Sequence, residues 1–178
     1  MTAGCDELAV LIKQHAYLEG DFLLRSGKRS KYYLDKYRFE TRPELLEAIG
    51  ARIAALVALE EPTADLLAGP ELGAVALAAA ASLSSRLPFL LVRKAAKEYG
   101  TNKRLEGVYE AGQRVCLVED VVTSGGAALA AVAALREVGL EVRSAICVVD
   151  REEGGAEALA EQGVRLLPLF RAGDLLSV

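Results

Sequence analysis

The sequence has no tryptophan, one methionine, one histidine and three cysteines among its 178 residues. Cys5, Cys116 and Cys147 are widely spaced, and His15 is the single histidine, so a zinc site of the usual Cys/His type is excluded. Cys116 and Cys147 each lie within an apolar run, and we expect them to be buried as small hydrophobic residues. His15 is expected to be structural or exposed.

Long apolar runs and an excess of positive charge are also missing. The longest apolar run, residues 73–83, is too short to cross a bilayer. Near the N-terminus Asp6 and Glu7 occupy the place where a secretory signal would carry positive charge. A net charge of −4 argues against binding to nucleic acid or an anionic membrane through phosphate neutralisation. We therefore expect a cytoplasmic protein with neither partner.

What the sequence does contain, from residue 65 onward, is an alternation of short apolar runs and helical patterns. Strands that are apolar at every position, separated by helices, predict an α/β fold with a parallel sheet covered on both faces. Before it, the pattern predicts a helix over residues 6–18, two short strands within residues 21–35 and a helix that begins at Pro43. The predicted strands of the sheet are residues 65–68, 88–93, 114–119, 143–150 and 164–169.

Residues 115–127, VCLVEDVVTSGGA, combine acidic residues with a loop suited to anions. A buried strand brings Glu119 and Asp120 to its carboxyl end, in a site that we expect to be solvated. Hydroxyls and glycines follow, and loop amides together with a helix N-terminus bind anions. Carboxylates beside a phosphate need a polyol or a cation between them, and a ribose phosphate meets this need. The alternative is an ordinary strand-turn-helix with capping residues.

This segment resembles the phosphoribosyl pyrophosphate motif of the type I phosphoribosyltransferases. The resemblance implies that family's fold, a twisted parallel sheet flanked by helices, as one domain over residues 1–178. A small hood would comprise approximately residues 1–60 plus the C-terminal end, and the core approximately residues 61–165. It also implies that Glu119 and Asp120 hold the ribose hydroxyls. The 5-phosphate would be bound by Val121, Val122, Thr123, Ser124, Gly125, Gly126 and Ala127.

Other segments resemble orotate phosphoribosyltransferases in particular. They are residues 21–33 (DFLLRSGKRSKYY) in the hood, residues 69–73 (GPELG), residues 91–100 (LVRKAAKEYG) and residues 150–155 (DREEGG). The resemblance implies that residues 69–73 bind pyrophosphate through backbone amides.

The third of these segments is basic, and its charge suits the loss of pyrophosphate from a ribose. Positive side chains that close over the site stabilise the departing anion and exclude water. Arg93, Lys94, Lys97 and Lys103 fit this role, whereas the alternative is a solvated charged hairpin. The resemblance makes Arg93 and Lys97 catalytic, together with Asp120. Lys94 and Tyr99 would bind phosphoribosyl pyrophosphate, the donor of the phosphoribosyl group. Tyr99 stands where many relatives have histidine.

Orotate is a planar anion whose carboxylate suits the two-pronged guanidinium of Arg151. The resemblance adds Arg25, Tyr32, Tyr33 and Thr123 to the orotate site. Adjacent strand residues face opposite ways, so one of the two tyrosines is expected in the strand core instead.

The resemblance implies synthesis of orotidine 5′-monophosphate and pyrophosphate from orotate and phosphoribosyl pyrophosphate. Mg²⁺ would be held mostly by substrate and water, with no confident side-chain ligand. A homodimer is expected, in which Arg93 and Lys97 serve the partner's site. The alternatives are a phosphoribosyltransferase for another base, disfavoured by Arg151, and a regulator that senses the donor and binds nucleic acid, disfavoured by the net charge.

Overall fold

The computed structural model of the chain describes residues 6–23, 27, 29–94 and 104–177. Its helices and strands, in chain order, are α1 (Glu7–Ala16), β1 (Tyr17–Leu23), β2 (Arg29–Leu34), α2 (Tyr37–Glu40), α3 (Pro43–Glu60), β3 (Leu66–Pro70), α4 (Gly73–Ser85), β4 (Phe89–Val92), β5 (Leu105–Glu106), β6 (Arg114–Val122), α5 (Gly126–Glu137), β7 (Glu141–Asp150), α6 (Gly155–Glu161), β8 (Arg165–Arg171) and α7 (Ala172–Ser177).

The central sheet has six strands in the order β5-β4-β3-β6-β7-β8. Neighbouring strands are parallel except β5, which runs antiparallel to β4. Each of the five apolar runs forms one of the parallel strands, so the predicted α/β fold is confirmed. The sequence analysis missed β5, because two residues are too few to show an alternating pattern.

The sheet separates two hydrophobic cores, and β6 shows how the sequence fills both. Cys116 and Val118 pack into the core shared with α3 and α4, whereas Val115 and Leu117 pack into the core shared with α5. Successive residues of a strand face opposite sides of the sheet, so a strand covered on both faces is apolar at successive positions. Cys116 and Cys147 are both buried, as expected.

The N-terminal elements pack beside one end of the sheet. Asp6 caps α1 by accepting a hydrogen bond from the Leu8 amide at 3.1 Å. The helix ends at Ala16, two residues before the predicted end, because Tyr17 already pairs with Leu34 in the β1–β2 hairpin. The short helices α2 and α7 were not predicted, since neither is long enough to show a helical period.

Among the helices that the structure describes, none combines the length and apolar character needed to cross a membrane.

Candidate active site

A cleft of about 600 Å³ opens at the carboxyl ends of β3, β4 and β6. This is the edge where ligands bind in open parallel sheets. Residues from five segments line it, and three of these segments carry basic or hydroxyl side chains. The lining residues are Pro70, Glu71, Val92, Arg93, Lys94, Arg104, Thr123, Ser124, Gly126, Ala127, Ala130, Ala131 and Glu153.

The loop after β6 supplies one wall of this cleft. Thr123 and Ser124 are exposed, and α5 begins directly after them at Gly126. Gly125 has φ +79°, and a Cβ there would lie 3.2 Å from the carbonyl oxygen of Gly155. Glycine is therefore needed at 125 for both its backbone conformation and its close packing.

The strand extends further than the sequence predicted. Val121 and Val122 belong to β6 and pair with β7, and the Val122 side chain is buried in the interior. Only residues 123–125 form the loop between β6 and α5. Val121 and Val122 thus position this loop rather than form part of it.

Glu119 and Asp120 lie at the end of β6, but both are buried rather than in the solvated site that we expected. Each is 5% exposed. Asp120 accepts two hydrogen bonds, to Oδ2 from the Lys36 ammonium and to Oδ1 from the Val121 amide, each at 2.5 Å. Glu119 Oε1 has no hydrogen-bond partner among the described residues.

Lys36 and Glu40, at the two ends of α2, complete a buried charged cluster that the sequence analysis missed. Lys36 is 84 residues from Asp120, and no spacing rule connects positions so far apart. Glu40 is 5% exposed, and its Oε1 has no hydrogen-bond partner among the described residues. The one signal in the sequence for a buried carboxyl group was that Glu40 directly follows an aromatic residue, Phe39.

Burial dominates the electrostatics of this cluster. It raises the pKa of Glu119 to about 8, and the charge of Asp120 adds to the effect. Burial and then the Asp120 charge raise the pKa of Glu40 to about 7. Burial alone would lower the pKa of Lys36, but the hydrogen bond and charge of Asp120 outweigh it and the pKa is raised. The raised pKa values favour the protonated forms of Glu119 and Glu40 near neutral pH.

The basic wall of the cleft is formed by Arg93, Lys94 and Arg104. Arg93 Nη1 lies 4.0 Å from Glu106 Oε1, and the Lys94 amide donates to Glu71 Oε1 at 2.6 Å. Arg104 directly follows Lys103 but was not among the predicted residues. The predicted residues Arg25, Lys97, Tyr99 and Lys103 lie outside the described residues.

Arg151 directly follows β7 and meets one tyrosine of the hairpin. Its guanidinium carbon is 5.2 Å from the ring centroid of Tyr32, and Nη2 pairs with Glu153 Oε1 at 2.9 Å. Its side chain is only 10% exposed, and its Nε has no partner among the described residues. Tyr33 contacts Phe22 instead and is 42% exposed. Tyr32 therefore contacts Arg151, whereas Tyr33 is exposed rather than in the strand core that we expected for one of the two tyrosines.

The loop between β3 and α4 approaches Asp120 closely. The Leu72 side chain is 70% exposed, and α4 begins at Gly73. A Cβ at residue 73 would overlap Asp120 Oδ2 and lie 3.0 Å from Glu40 Oε1. Only glycine leaves room for both carboxyl groups at this point.

The parallel sheet, the loop after β6 and the acidic residues at the end of that strand together define a phosphoribosyltransferase domain. The family model of the phosphoribosyl transferase domain matches residues 39–162. The orotate phosphoribosyltransferase of Methanocella arvoryzae is 50% identical over 171 residues, which cover 96% of either chain. The chain belongs to the orotate phosphoribosyltransferase family.

Solved structures agree with this assignment. The orotate phosphoribosyltransferase of Mycobacterium tuberculosis, in complex with Fe(III) dicitrate, superposes with a TM-score of 0.84 at 36% identity, covering 95% of this chain and 97% of that one. The same enzyme in complex with 5-phospho-α-D-ribosyl 1-diphosphate has a TM-score of 0.80 at 33% identity, with 95% and 96% coverage.

Proposed function

We propose that the chain transfers the phosphoribosyl group of phosphoribosyl pyrophosphate to orotate, forming orotidine 5′-monophosphate and pyrophosphate. The observation that carries this proposal is the cleft itself, where the hydroxyl loop after β6 faces Arg93, Lys94 and Arg104 across about 600 Å³. A doubly phosphorylated sugar needs an anion site at each end, and the two walls provide them. Membership of the orotate phosphoribosyltransferase family supports the same reaction.

The donor would lie with its 5-phosphate on the loop after β6. Thr123 and Ser124 offer hydroxyl donors, and the start of α5 adds free amides and the positive end of its dipole. Gly126 and Ala127 line the same wall. Asp120, and Glu119 once ionised, would accept hydrogen bonds from the ribose hydroxyls. This arrangement leaves the anomeric carbon pointing toward the basic wall.

Loss of pyrophosphate would be assisted by that basic wall. As the bond to the anomeric carbon breaks, negative charge grows on the diphosphate, and Arg93, Lys94 and Arg104 stabilise it. The amides of the loop between β3 and α4 would hold the same group. By resemblance, Lys97 and Tyr99 act here as well, with Lys97 as the second catalytic cation.

Orotate would bind beside Arg151. The guanidinium is already oriented by Tyr32 and paired with Glu153, so the orotate carboxylate would exchange with Glu153 for the same donors. Thr123 follows β6 and Arg151 follows the paired strand β7, so the two residues stand at neighbouring strand ends. Arg25 is included by resemblance alone, and Tyr33 is left out because it contacts Phe22.

The possible metal ligands of the site fit a magnesium ion that is held mainly by the substrate. Within the described residues, no three of His, Cys, Asp and Glu are grouped to hold a metal, and both oxygens of Asp120 already accept hydrogen bonds. Glu119 and Asp120 would hold the ion through ribose oxygens and water. Bound Mg²⁺ would neutralise charge on the diphosphate.

We further infer a single domain over residues 1–178 and a homodimer with shared sites. Arg93 lines the cleft of its own chain, so we restrict the shared contribution to Lys97.

A cytoplasmic location is supported by the free, buried thiols of Cys116 and Cys147, which are typical of reducing compartments.

The test is an assay of pyrophosphate release with phosphoribosyl pyrophosphate, Mg²⁺ and one base at a time. Orotate should react fastest, and chelation of the metal should abolish turnover. Uracil, hypoxanthine and adenine are the comparison bases, because they lack the carboxylate that Arg151 would bind. Faster consumption of any of them than of orotate would refute the proposed acceptor. Donor binding without turnover on any base would indicate a regulator.

A further inference from the structure

The charged cluster of Lys36, Glu40 and Asp120 lies at the end of β6, the strand that leads into the cleft-lining loop of Thr123 and Ser124. Lys36 Nζ is 2.5 Å from Asp120 Oδ2, with side-chain exposures of 31% and 7%. The other carboxylate oxygen accepts from the Val121 amide. Both oxygens of Asp120 therefore have a fixed donor, and the carboxylate plane cannot turn freely.

Glu40 approaches the same carboxylate from the side of Gly73. The position that a Cβ would take at residue 73 is 3.0 Å from Glu40 Oε1 and overlaps Asp120 Oδ2, so both carboxyl groups border one small space. Two carboxyl groups that share a buried space tend to share a proton. The pKa of Glu40 is raised to about 7, with the Asp120 charge and a hydrogen bond to Asp120 among the causes.

A shared proton would impair the proposed use of Asp120. A carboxylate that accepts from a protonated Glu40 has less capacity to accept from ribose hydroxyls. An ammonium bound to Asp120 Oδ2 counteracts this effect, because it fixes the direction of the carboxylate. Lys36 supplies that ammonium, and it directly precedes α2 rather than belonging to the motif that contains Asp120.

We propose that Lys36 is a positioning residue for the phosphoribosyl donor: its ammonium holds the Asp120 carboxylate oriented toward the ribose hydroxyls despite the adjacent Glu40. This inference rests on the proposed function for the identity of the sugar phosphate. It assigns to the hood a part in donor binding that acts through Asp120, without contact between Lys36 and the donor.

The test replaces Lys36 with methionine, which keeps the aliphatic stem and removes the ammonium. The dissociation constant and KM for phosphoribosyl pyrophosphate should rise about tenfold or more, the loss expected from one weakened charge-assisted hydrogen bond. The KM for orotate should stay within about twofold. Lys36→Arg should recover most of the donor affinity, since it retains a charged donor.

A matched control and a rescue variant separate positioning from stability. Lys31 is an exposed lysine on β2, five residues before Lys36, that pairs with Asp21 at 3.3 Å, and Lys31→Met should leave both constants unchanged. Glu40→Gln in the Lys36→Met background removes the shared proton and adds an amide donor beside Asp120, so donor affinity should partly recover. If Lys36→Met does not fold, Lys36→Gln takes its place with the same expected direction.

Donor affinity is measured by calorimetry without any acceptor base. An enzyme inactive on orotate would therefore refute the proposed function while the calorimetric comparison still decides the role of Lys36. Unchanged donor affinity in a folded Lys36→Met variant would overturn the proposal. So would an equal loss for donor and orotate, or an absence of donor binding by the unsubstituted chain.

Discussion

At the scale of single residues, the site depends on side chains whose surroundings fix both their charge and their direction. Arg151 is the clearest example in the acceptor half. Tyr32 covers one face of its guanidinium, and Glu153 holds one of its nitrogens. A planar cation held in this way presents a two-pronged donor to a carboxylate. The same fixed geometry makes the position sensitive to a change that keeps the charge.

Arg151→Lys should therefore weaken orotate far more than the donor. The ammonium keeps the positive charge but donates from one point and loses the stacking on Tyr32, so the KM for orotate should rise about tenfold or more. The KM for phosphoribosyl pyrophosphate should change by less than about threefold. Steady-state kinetics with each substrate varied in turn measure both values. An equal rise in the two would argue against a direct carboxylate contact.

At the scale of elements, two turns support each other at the end of the sheet. The loop between β6 and α5 packs against the start of α6, where Gly125 and Gly155 face each other. A Cβ at residue 155 would lie 2.5 Å from the Thr123 carbonyl oxygen and 3.1 Å from the Gly125 amide nitrogen. The close approach of these two backbones sets the shape of the proposed phosphate loop.

Gly155→Ala should thus displace the loop and impair donor binding. We expect the KM for phosphoribosyl pyrophosphate to rise roughly tenfold, as for the loss of one charge-assisted hydrogen bond. Gly163→Ala is the control: residue 163 has φ +67° with no atom near the added Cβ, so it costs about 1 kcal/mol of stability from backbone strain alone. Kinetics and urea unfolding of both variants separate the two effects. A donor KM unaltered by Gly155→Ala would contradict this role of the packed turns.

At the scale of the whole molecule, the buried carboxyl groups link stability to pH. The pKa values of Glu119 and Glu40 are raised to about 8 and about 7, mainly by burial. Between about pH 4.5 and these values, the folded chain binds more protons than the unfolded chain. The free energy of unfolding therefore decreases as pH rises through this window.

Urea unfolding at intervals from pH 5 to pH 9 should show this decrease. Glu119→Gln should reduce the slope by at most about 1.4 kcal/mol per pH unit, the value for one proton. The variant and the unsubstituted chain are measured in the same buffers and at the same ionic strength. A free energy of unfolding that stays constant or increases between pH 6 and pH 8 would contradict the raised pKa values of these two carboxyl groups.

Assembly is the second property of the whole molecule that can be tested. Lys97→Ala and Asp120→Ala should each be inactive alone, but a mixture unfolded and refolded together should regain activity. If Lys97 serves the partner's site, each heterodimer contains one site with both residues intact. If it serves its own site, every site in the heterodimer has one defect. Inactive mixtures with confirmed heterodimers would exclude shared sites and leave the proposed chemistry intact.

Local pattern in the sequence was enough to predict the strands of the parallel sheet, a loop of hydroxyls and glycines after β6 and the resemblance to the family. These features depend on the alternation of apolar residues, on glycine and on adjacent acidic positions, all of which are short-range. The same information placed Asp120 at a strand end. It did not show whether solvent reaches that end.

Tertiary structure alone decided which distant residues meet. The pairing of Lys36 with Asp120, the burial of Glu40 and the choice of Tyr32 over Tyr33 beside Arg151 all arise where the N-terminal elements pack on the sheet. Such contacts join segments far apart in the chain, and no periodicity encodes them. The short elements α2 and β5 escaped prediction for a related reason, because their few residues are held by neighbouring elements rather than by their own pattern.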